Sequence, residues 1–305
     1  MKTRSILFLA AMSLVACAPP IVVPDAKWVA RAERKAREVE LCVLVQEERE
    51  RAIWNGVASF DGDPWKQTIA TIAVMHPSGL MMIDPAFGKT IADDLHRAGP
   101  FVMSIMGDER GKTPLIEVME KAGIPVSDVK YAVLTHSHWD HAGALGDLSS
   151  ARVLVARPEL DFAQSLTRYF DHGVMPHHLK RAKERIFAFD FNGPAVDGFP
   201  SSFDIFGDGS VLAVPQPGHT PGSTAFLVRG KGGITWLFSG DTTWTFRGVE
   251  IPAHKTIKAV DGDLETLSSS IGLLHAIQAN RPDVKVIPAH DGNALSALPR
   301  CAPRN

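Results

Sequence analysis

Apolar runs of four to six residues punctuate this chain, and four of them end close to a side chain able to bind a metal. VKYAVL (129–134) precedes THSHWDHAG (135–143), and VLAV (211–214) precedes PGHTPG (217–222). ITWLF (234–238) precedes SGD (239–241), and VKVI (284–287) precedes PAHD (288–291). Short runs of this composition predict buried strands. In α/β sheets, sites form just beyond the carboxyl ends of strands. Four loops after four strands can therefore converge on one crevice.

The first loop carries most of the chemistry. His136, His138, Asp140 and His141 fall within six positions. Imidazole suits zinc and other first-row transition metals, and a carboxylate can join it. His136 and His138 are two apart, so extended backbone points both rings to the same side, where they can serve one ion. Asp140 and His141 follow where the chain turns into a predicted helix, Ala142 to Asp147, and can aim at a second ion. Gly143 leaves room for close approach of backbone. The later candidates, His219, Asp241 and His290, are weak taken singly, because a Gly-Asp pair after a strand is commonly a turn. Their order and context give them weight.

HSHWDH, PGHTPGS, SGDTTW and PAHD, in this order, resemble the metallo-β-lactamase superfamily. So does GLMMIDP (79–85), which is similar to that family's early strand ending in an aspartate. The resemblance covers roughly Ala70 to Asn293. It implies an α/β fold, a four-layer αββα sandwich with metals at one edge. It assigns one ion to His136, His138 and His219, and another to Asp140, His141 and His290. Asp241 matches the aspartate that bridges both ions. The implied cofactors are two Zn²⁺, with Fe or Mn as alternatives that mixed His and carboxylate ligands also suit. Bound zinc lowers the pKa of its water to about 7, giving a hydroxide that attacks a carbonyl carbon. Asp140 is expected to orient that nucleophile, with Asp241 the other catalytic carboxylate.

The bridging aspartate points to lactonases, glyoxalase II-like thioesterases and related hydrolases. The expected activity is therefore cleavage of a carboxylic ester, lactone or thioester in a small acyl substrate, with an acyl-homoserine lactone as one such substrate. Acyl-homoserine lactonases resemble this chain in HSHWDHAG, GHTPG and AHD. They often carry a tyrosine three positions after the bridging aspartate, where this chain has Trp244. An indole has no comparable acid. Two other readings are a β-lactam hydrolase and a non-catalytic metal-binding lipoprotein of the envelope. The complete set of seven ligand positions counts against the last.

The chain has 305 residues, 45% of them hydrophobic, enough for one large core. A net charge of −2 argues against a nucleic-acid surface. Seven histidines outside the motifs, His76, His96, His172, His177, His178, His254 and His275, read mostly as ordinary surface or core residues. YFDHGVMPHH (169–178) reads as a polar connecting loop, or as a lining of the substrate pocket. Trp139 is expected at the pocket rim. Composition leaves the oligomeric state open.

The N-terminus has a separate logic. Lys2 and Arg4 precede the apolar run Ile6 to Val15, the pattern of a secretory signal and too short to span a bilayer. Leu14-Val15-Ala16-Cys17 resembles a bacterial lipobox, in which the cysteine is lipidated. That divides the chain into a signal peptide (1–16), an anchor, tether and charged segment (17–52) and a hydrolase domain (53–305). The implied address is the cell envelope, periplasm-facing and lipid-anchored, with Ala18 resembling an outer-membrane signal. Ala18 to Asp25 reads as an extended tether. The charge-dense stretch Lys27 to Arg51 reads as a solvated helical stalk with i,i+4 pairs, around LCVLV (41–45), which fits strand or helix. Cys42 and Cys301 either form a disulfide or remain two unpaired thiols.

Overall fold

The computed structural model describes residues 18–25, 36–51, 65–100, 102–103, 107, 110–255 and 258–303. The signal segment and Cys17 lie outside them. Two sheets form the centre. The first runs in the order β1 (Glu40–Arg51), β2 (Trp65–His76), β3 (Gly79–Ile83), β4 (Val129–Val133), β5 (Arg152–Ala156), β6 (Ile186–Phe189). The second runs β11 (Val284–Ile287), β10 (Thr235–Phe238), β9 (Thr224–Arg229), β8 (Val211–Pro215), β7 (Phe203–Asp204). Strands β3 to β6 pair in parallel, as do β10 and β11; the remaining pairs are antiparallel.

The helices are α1 (Ile91–Ala98), α2 (Leu115–Lys121), α3 (Trp139–Ala142), α4 (Arg157–Ser165), α5 (Pro176–Lys180), α6 (Arg247–Glu250), α7 (Leu264–Asn280) and α8 (Gly292–Leu295).

Alternation along the strands sorts the layers. Leu41 and Val43 join Val211, Ala213 and Phe226 in the core between the sheets, whereas Cys42 and Leu44 point the other way, toward Leu115 and Met119 of α2. In the second sheet, Leu212 and Val214 turn outward onto Leu274 and Ile277 of α7. Successive side chains on a strand face opposite ways, so each sheet buries both faces. The result is the four-layer αββα sandwich expected from the motifs.

Three local expectations change. Glu40–Arg51 is a strand paired with β2, so this part of the charged segment is not a helical stalk. Its charge is met across strands and by the C-terminal tail: Lys66 and Arg300 reach Glu48 at 2.9 and 2.6 Å. The predicted helix over 142–147 is instead α3, a single turn, followed by a 3-10 turn over Gly143–Gly146. Trp139 is buried and stacks on Phe87 with ring centroids 5.4 Å apart, in the core rather than at a rim. Cys42 and Cys301 form a disulfide that ties the C-terminal tail to β1.

Ala18 to Asp25 has no regular structure but lies against the fold, with Val22 backbone packed on Gly272 of α7. Among the described residues, no helix is long and apolar enough to cross a membrane.

Candidate metal centre

All seven sequence-derived ligand candidates come together at one end of the strands. Each leaves its sheet where a strand stops: His136 to His141 after β4, His219 after β8, Asp241 after β10 and His290 after β11. Backbone bonds lock these loops to one another. Thr224 N donates to Thr135 O at 2.8 Å, and Ala289 N donates to Gly240 O at 3.2 Å. Gly143 permits the approach expected of it, since a Cβ there would run into the Ala86 carbonyl oxygen.

The donor atoms fall into overlapping groups. His136, His138 and His219 form one, and Asp140, His141 and His290 form another. A third group, His136, His141 and Asp241, links the two. His219 Nε2 lies 3.2 Å from His136 Nε2 and 3.0 Å from His138 Nδ1. A tetrahedral zinc with bonds of about 2.0–2.1 Å to nitrogen would have donor edges of about 3.3 Å. Asp241 Oδ1 is 3.3 Å from His141 Nε2 and 3.0 Å from His290 Nε2. Asp140 is less enclosed, with its Oδ2 3.6 Å from His290 Nε2.

Hydrogen bonds on the far side of the rings decide where the protons sit. His141 Nδ1 donates to Asp84 Oδ2 at 2.8 Å, and His219 Nδ1 donates to Asp261 Oδ1 at 2.8 Å. His290 Nδ1 faces the Thr68 carbonyl at 3.3 Å. Thr135 Oγ1 donates to Asp84 Oδ2, so it accepts from His136 Nδ1 at 3.1 Å. Neutral imidazole carries one N–H and one lone pair. In all four rings Nε2 therefore faces inward, toward another imidazole nitrogen or the Asp241 carboxylate, and offers a lone pair there when the ring is neutral. Buried His141 Nε2 and Asp241 Oδ1 have no hydrogen-bond partner. Such a set of inward lone pairs and an anion is balanced by cations, and it fits divalent metal ions.

The proton affinities follow the same division. Burial, and then neighbouring imidazoles, hold His136 and His138 well below the usual histidine range; burial and then Lys255 lower His219. Burial also opposes charge on His141 and His290, but Asp84 and Asp241 at His141, and Asp241 at His290, outweigh it and raise both. Burial would raise Asp241, yet His290 and His141 hold it well down. Metal ions at this centre would replace the protons that the carboxylates otherwise keep on those two rings.

Supporting residues outside the motifs complete the centre. Asp84, at a positive φ of 53° after β3, accepts from Thr135 N and Oγ1 as well as His141. Buried Glu159 of α4 joins two ligand loops, accepting from Ser137 N at 2.7 Å and from Thr220 Oγ1 at 2.6 Å. Buried Lys255 reaches Asp261 Oδ1 at 2.6 Å and donates to the Asp241 carbonyl. Sequence reasoning placed Asp84 only as a strand end and missed Glu159, Lys255 and Asp261. The loop 169–178 packs beside the centre: Gly173 at φ 78° lies against the His138 ring, and its carbonyl accepts from Trp139 N. His177, His178 and Tyr169 all donate to Asp94 of α1, so these two histidines anchor that loop.

Comparisons with known proteins agree with this geometry. Residues 64–290 match the metallo-beta-lactamase superfamily. The N-acyl homoserine lactonase AttM of Azorhizobium caulinodans is 28% identical over 243 residues, 77% of this chain and 86% of that protein. A probable metallo-hydrolase of Mycobacterium tuberculosis is 28% identical over 228 residues, 70% of this chain and 71% of the other. A crystal structure of a quorum-quenching N-acyl homoserine lactone lactonase superposes with a TM-score of 0.63 at 16% identity, covering 87% of this chain and 98% of that one. AidC, a dizinc quorum-quenching lactonase, gives 0.58 at 17% identity over 84% and 88% of the two chains. The two solved structures bear on the fold alone. With the family match spanning most of its length and the donor set in place, this chain belongs to the metallo-beta-lactamase superfamily and is a metal-dependent hydrolase.

Proposed function

We propose that the chain is a dinuclear hydrolase of carboxylic esters, lactones or thioesters, with acyl-homoserine lactones as the first class to test. One ion would be held by His136, His138 and His219, the other by Asp140, His141 and His290, with Asp241 between them. The observation that carries this reading is the orientation of four imidazoles, each with its outer nitrogen engaged by Thr135, Asp84, Asp261 or Thr68 and its Nε2 turned inward. Nitrogen-rich donors favour zinc. When bound, such ions polarise a carbonyl and lower the pKa of water to about 7.

The chain's own groups would divide the remaining work. Asp140, the least enclosed ligand candidate, orients the attacking water and takes its proton. Trp244 Nε1 donates to Asp241 Oδ2 at 2.9 Å and holds that carboxylate in place. The indole of Trp244 supplies no acid to the substrate carbonyl, whose polarisation the ions would provide when bound. The lactonase relatives support the substrate class.

The test is proton release by zinc-loaded protein given an acyl-homoserine lactone, with a thioester and a β-lactam in parallel and His136→Ala as blank. Lactone turnover that the substitution abolishes is the expected result. Cleavage of the β-lactam alone would move the chain to that activity. Stoichiometric metal with no turnover on any of the three would favour a non-catalytic binding protein.

We also propose that the mature chain is anchored in the cell envelope through a lipidated Cys17, facing the periplasm at the outer membrane. The charged start, the apolar run Ile6 to Val15 and the sequence LVAC support this. Incorporation of a labelled fatty acid, lost in Cys17→Ser, is the check.

A further inference from the structure

Among the described residues five large hydrophobic side chains are exposed: Val22, Val23, Phe187, Ile251 and Val260, at 58, 47, 52, 50 and 36%. Phe187, on β6, is capped by the Arg152 guanidinium 3.6 Å over its ring. The other four lie on segments gathered around α7. Ser268, Gly272 and His275 are spaced four and three apart, so they share one stripe of that helix. Along it, Ser268 Oγ is 3.5 Å from Pro19 O and 2.9 Å from His254 Nε2. Gly272 has no room for a Cβ because Val22 O occupies the place. His275 Nδ1 donates to Val249 O at 2.8 Å. The strap 18–25 therefore follows α7 away from its N-terminus, while residues 249–254 run back beside it. Val260 stands just before that N-terminus.

The same end of α7 is joined to the metal centre. Gly262 N donates to His219 O at 3.0 Å, Asp263 N donates to Gly218 O at 2.9 Å, and Asp261 holds the His219 ring. The strap is thus docked, at Pro19, near the start of the helix whose N-terminus is bonded to the His219 loop. The residue before it is Cys17, preceded by the apolar run 6–15.

We propose that Val22, Val23, Ile251 and Val260, exposed on the segments that flank α7, seat on a lipid bilayer and turn the metal-centre end of the molecule toward it. Exposed apolar side chains on neighbouring segments offer a contact surface. Lipid is the occupant that the chain itself supplies here, because the proposed anchor, Cys17, is the residue that precedes the strap. The inference rests on the anchored reading above, and its test separates the two.

The full chain, purified with lipid attached, is placed in phosphatidylcholine vesicles carrying a nitroxide-labelled lipid. Single substitutions Ile251→Cys, Val260→Cys and Phe187→Cys carry an environment-sensitive fluorophore; the parent gives the labelling background, and unchanged metal content shows that each variant folds. A seated face sinks about 5–10 Å into the headgroup boundary, so probes at 251 and 260 should be quenched at least about twofold more than at 187. Equal quenching at all three in protein that floats with the vesicles overturns the seating and leaves the anchor intact. Absence from the vesicle fraction removes the anchor and the seating with it. Blue-shifted probes at 251 and 260 in vesicle-free solution would assign the face to a second copy of the chain instead.

Discussion

The indole Nε1 of Trp244 donates to Oδ2 of Asp241 at 2.9 Å, leaving Oδ1 turned to His141 and His290. Trp244 thereby acts on the carboxylate that links the two donor groups. A hydrogen bond to a charged acceptor contributes about 1.5–3 kcal/mol, which is roughly tenfold or more in a rate or binding constant. Trp244→Phe is expected to weaken binding of the second ion and lower kcat by about tenfold or more. Trp244→Tyr, which restores a phenol at that position, should lose less lactone turnover than Phe. Steady-state kinetics with metal titration check both.

Lys255 and Asp261 act on His219 from behind. Asp261 fixes the ring through Nδ1, and Lys255 holds Asp261 while donating to the Asp241 carbonyl. Loss of such an outer partner typically costs about 10–100-fold in metal affinity. Asp261→Asn and Lys255→Met should each weaken zinc binding by about that factor in a chelator competition, and the double substitution should fall short of the product because Lys255 and His219 meet the same oxygen of Asp261.

Glu159 is a structural clasp between the HSHWDH and GHTPG loops. It accepts from Ser137 and Thr220 side chains and from Ser137 and Gly222 backbone, all buried. Glu159→Gln turns one of the two acceptor oxygens into a donor facing donors and should destabilise the fold by about 1–3 kcal/mol. Denaturant unfolding of metal-free protein measures this apart from any effect on catalysis.

Asp94 gives a pH signature. Burial would raise its carboxyl, but hydrogen bonds from His177 and His178, and then Thr90, hold it well below the usual range. A carboxyl with a depressed folded pKa contributes stability that is present above its unfolded pKa, about 3.9, and lost as pH falls through the folded value. The stability gap between the parent and Asp94→Asn should therefore be widest near neutrality and narrow below about pH 4. A gap that stays constant from neutral to acid would contradict this.

The disulfide joins cysteines that are 259 positions apart in the sequence. Cys301→Ser should cost about 2–4 kcal/mol in denaturant unfolding, with metal content retained, because the bridge lies outside the centre.

The ligand residues were legible because each follows directly on a strand, where periodicity marks the strand and the loop is short. His136 and His138 also declare their common direction through their spacing. The outer partners were not legible. Asp261 meets His219 from 42 residues away, and Glu159 meets Ser137 from 22, so neither pairing leaves a local pattern. Glu40–Arg51 misleads for another reason. It is an edge strand of the first sheet, and charged residues at an edge guard against further pairing, which imitates a charged helix in sequence. Trp139 sits in a motif full of ligands, yet its ring is drawn inward by Phe87. The fold class was readable from the motifs, while the layer each strand faces depended on alternation that only pairing resolves.

The central claim is a hydrolase whose turnover depends on two ions held by inward-facing lone pairs. The most direct measurement is lactone hydrolysis by chelator-stripped protein titrated with zinc. The account predicts no turnover without metal and a rise that breaks at two equivalents, with Asp241→Asn losing most of it. Full turnover in stripped protein, or a break at one equivalent that Asp241→Asn leaves unchanged, would contradict it.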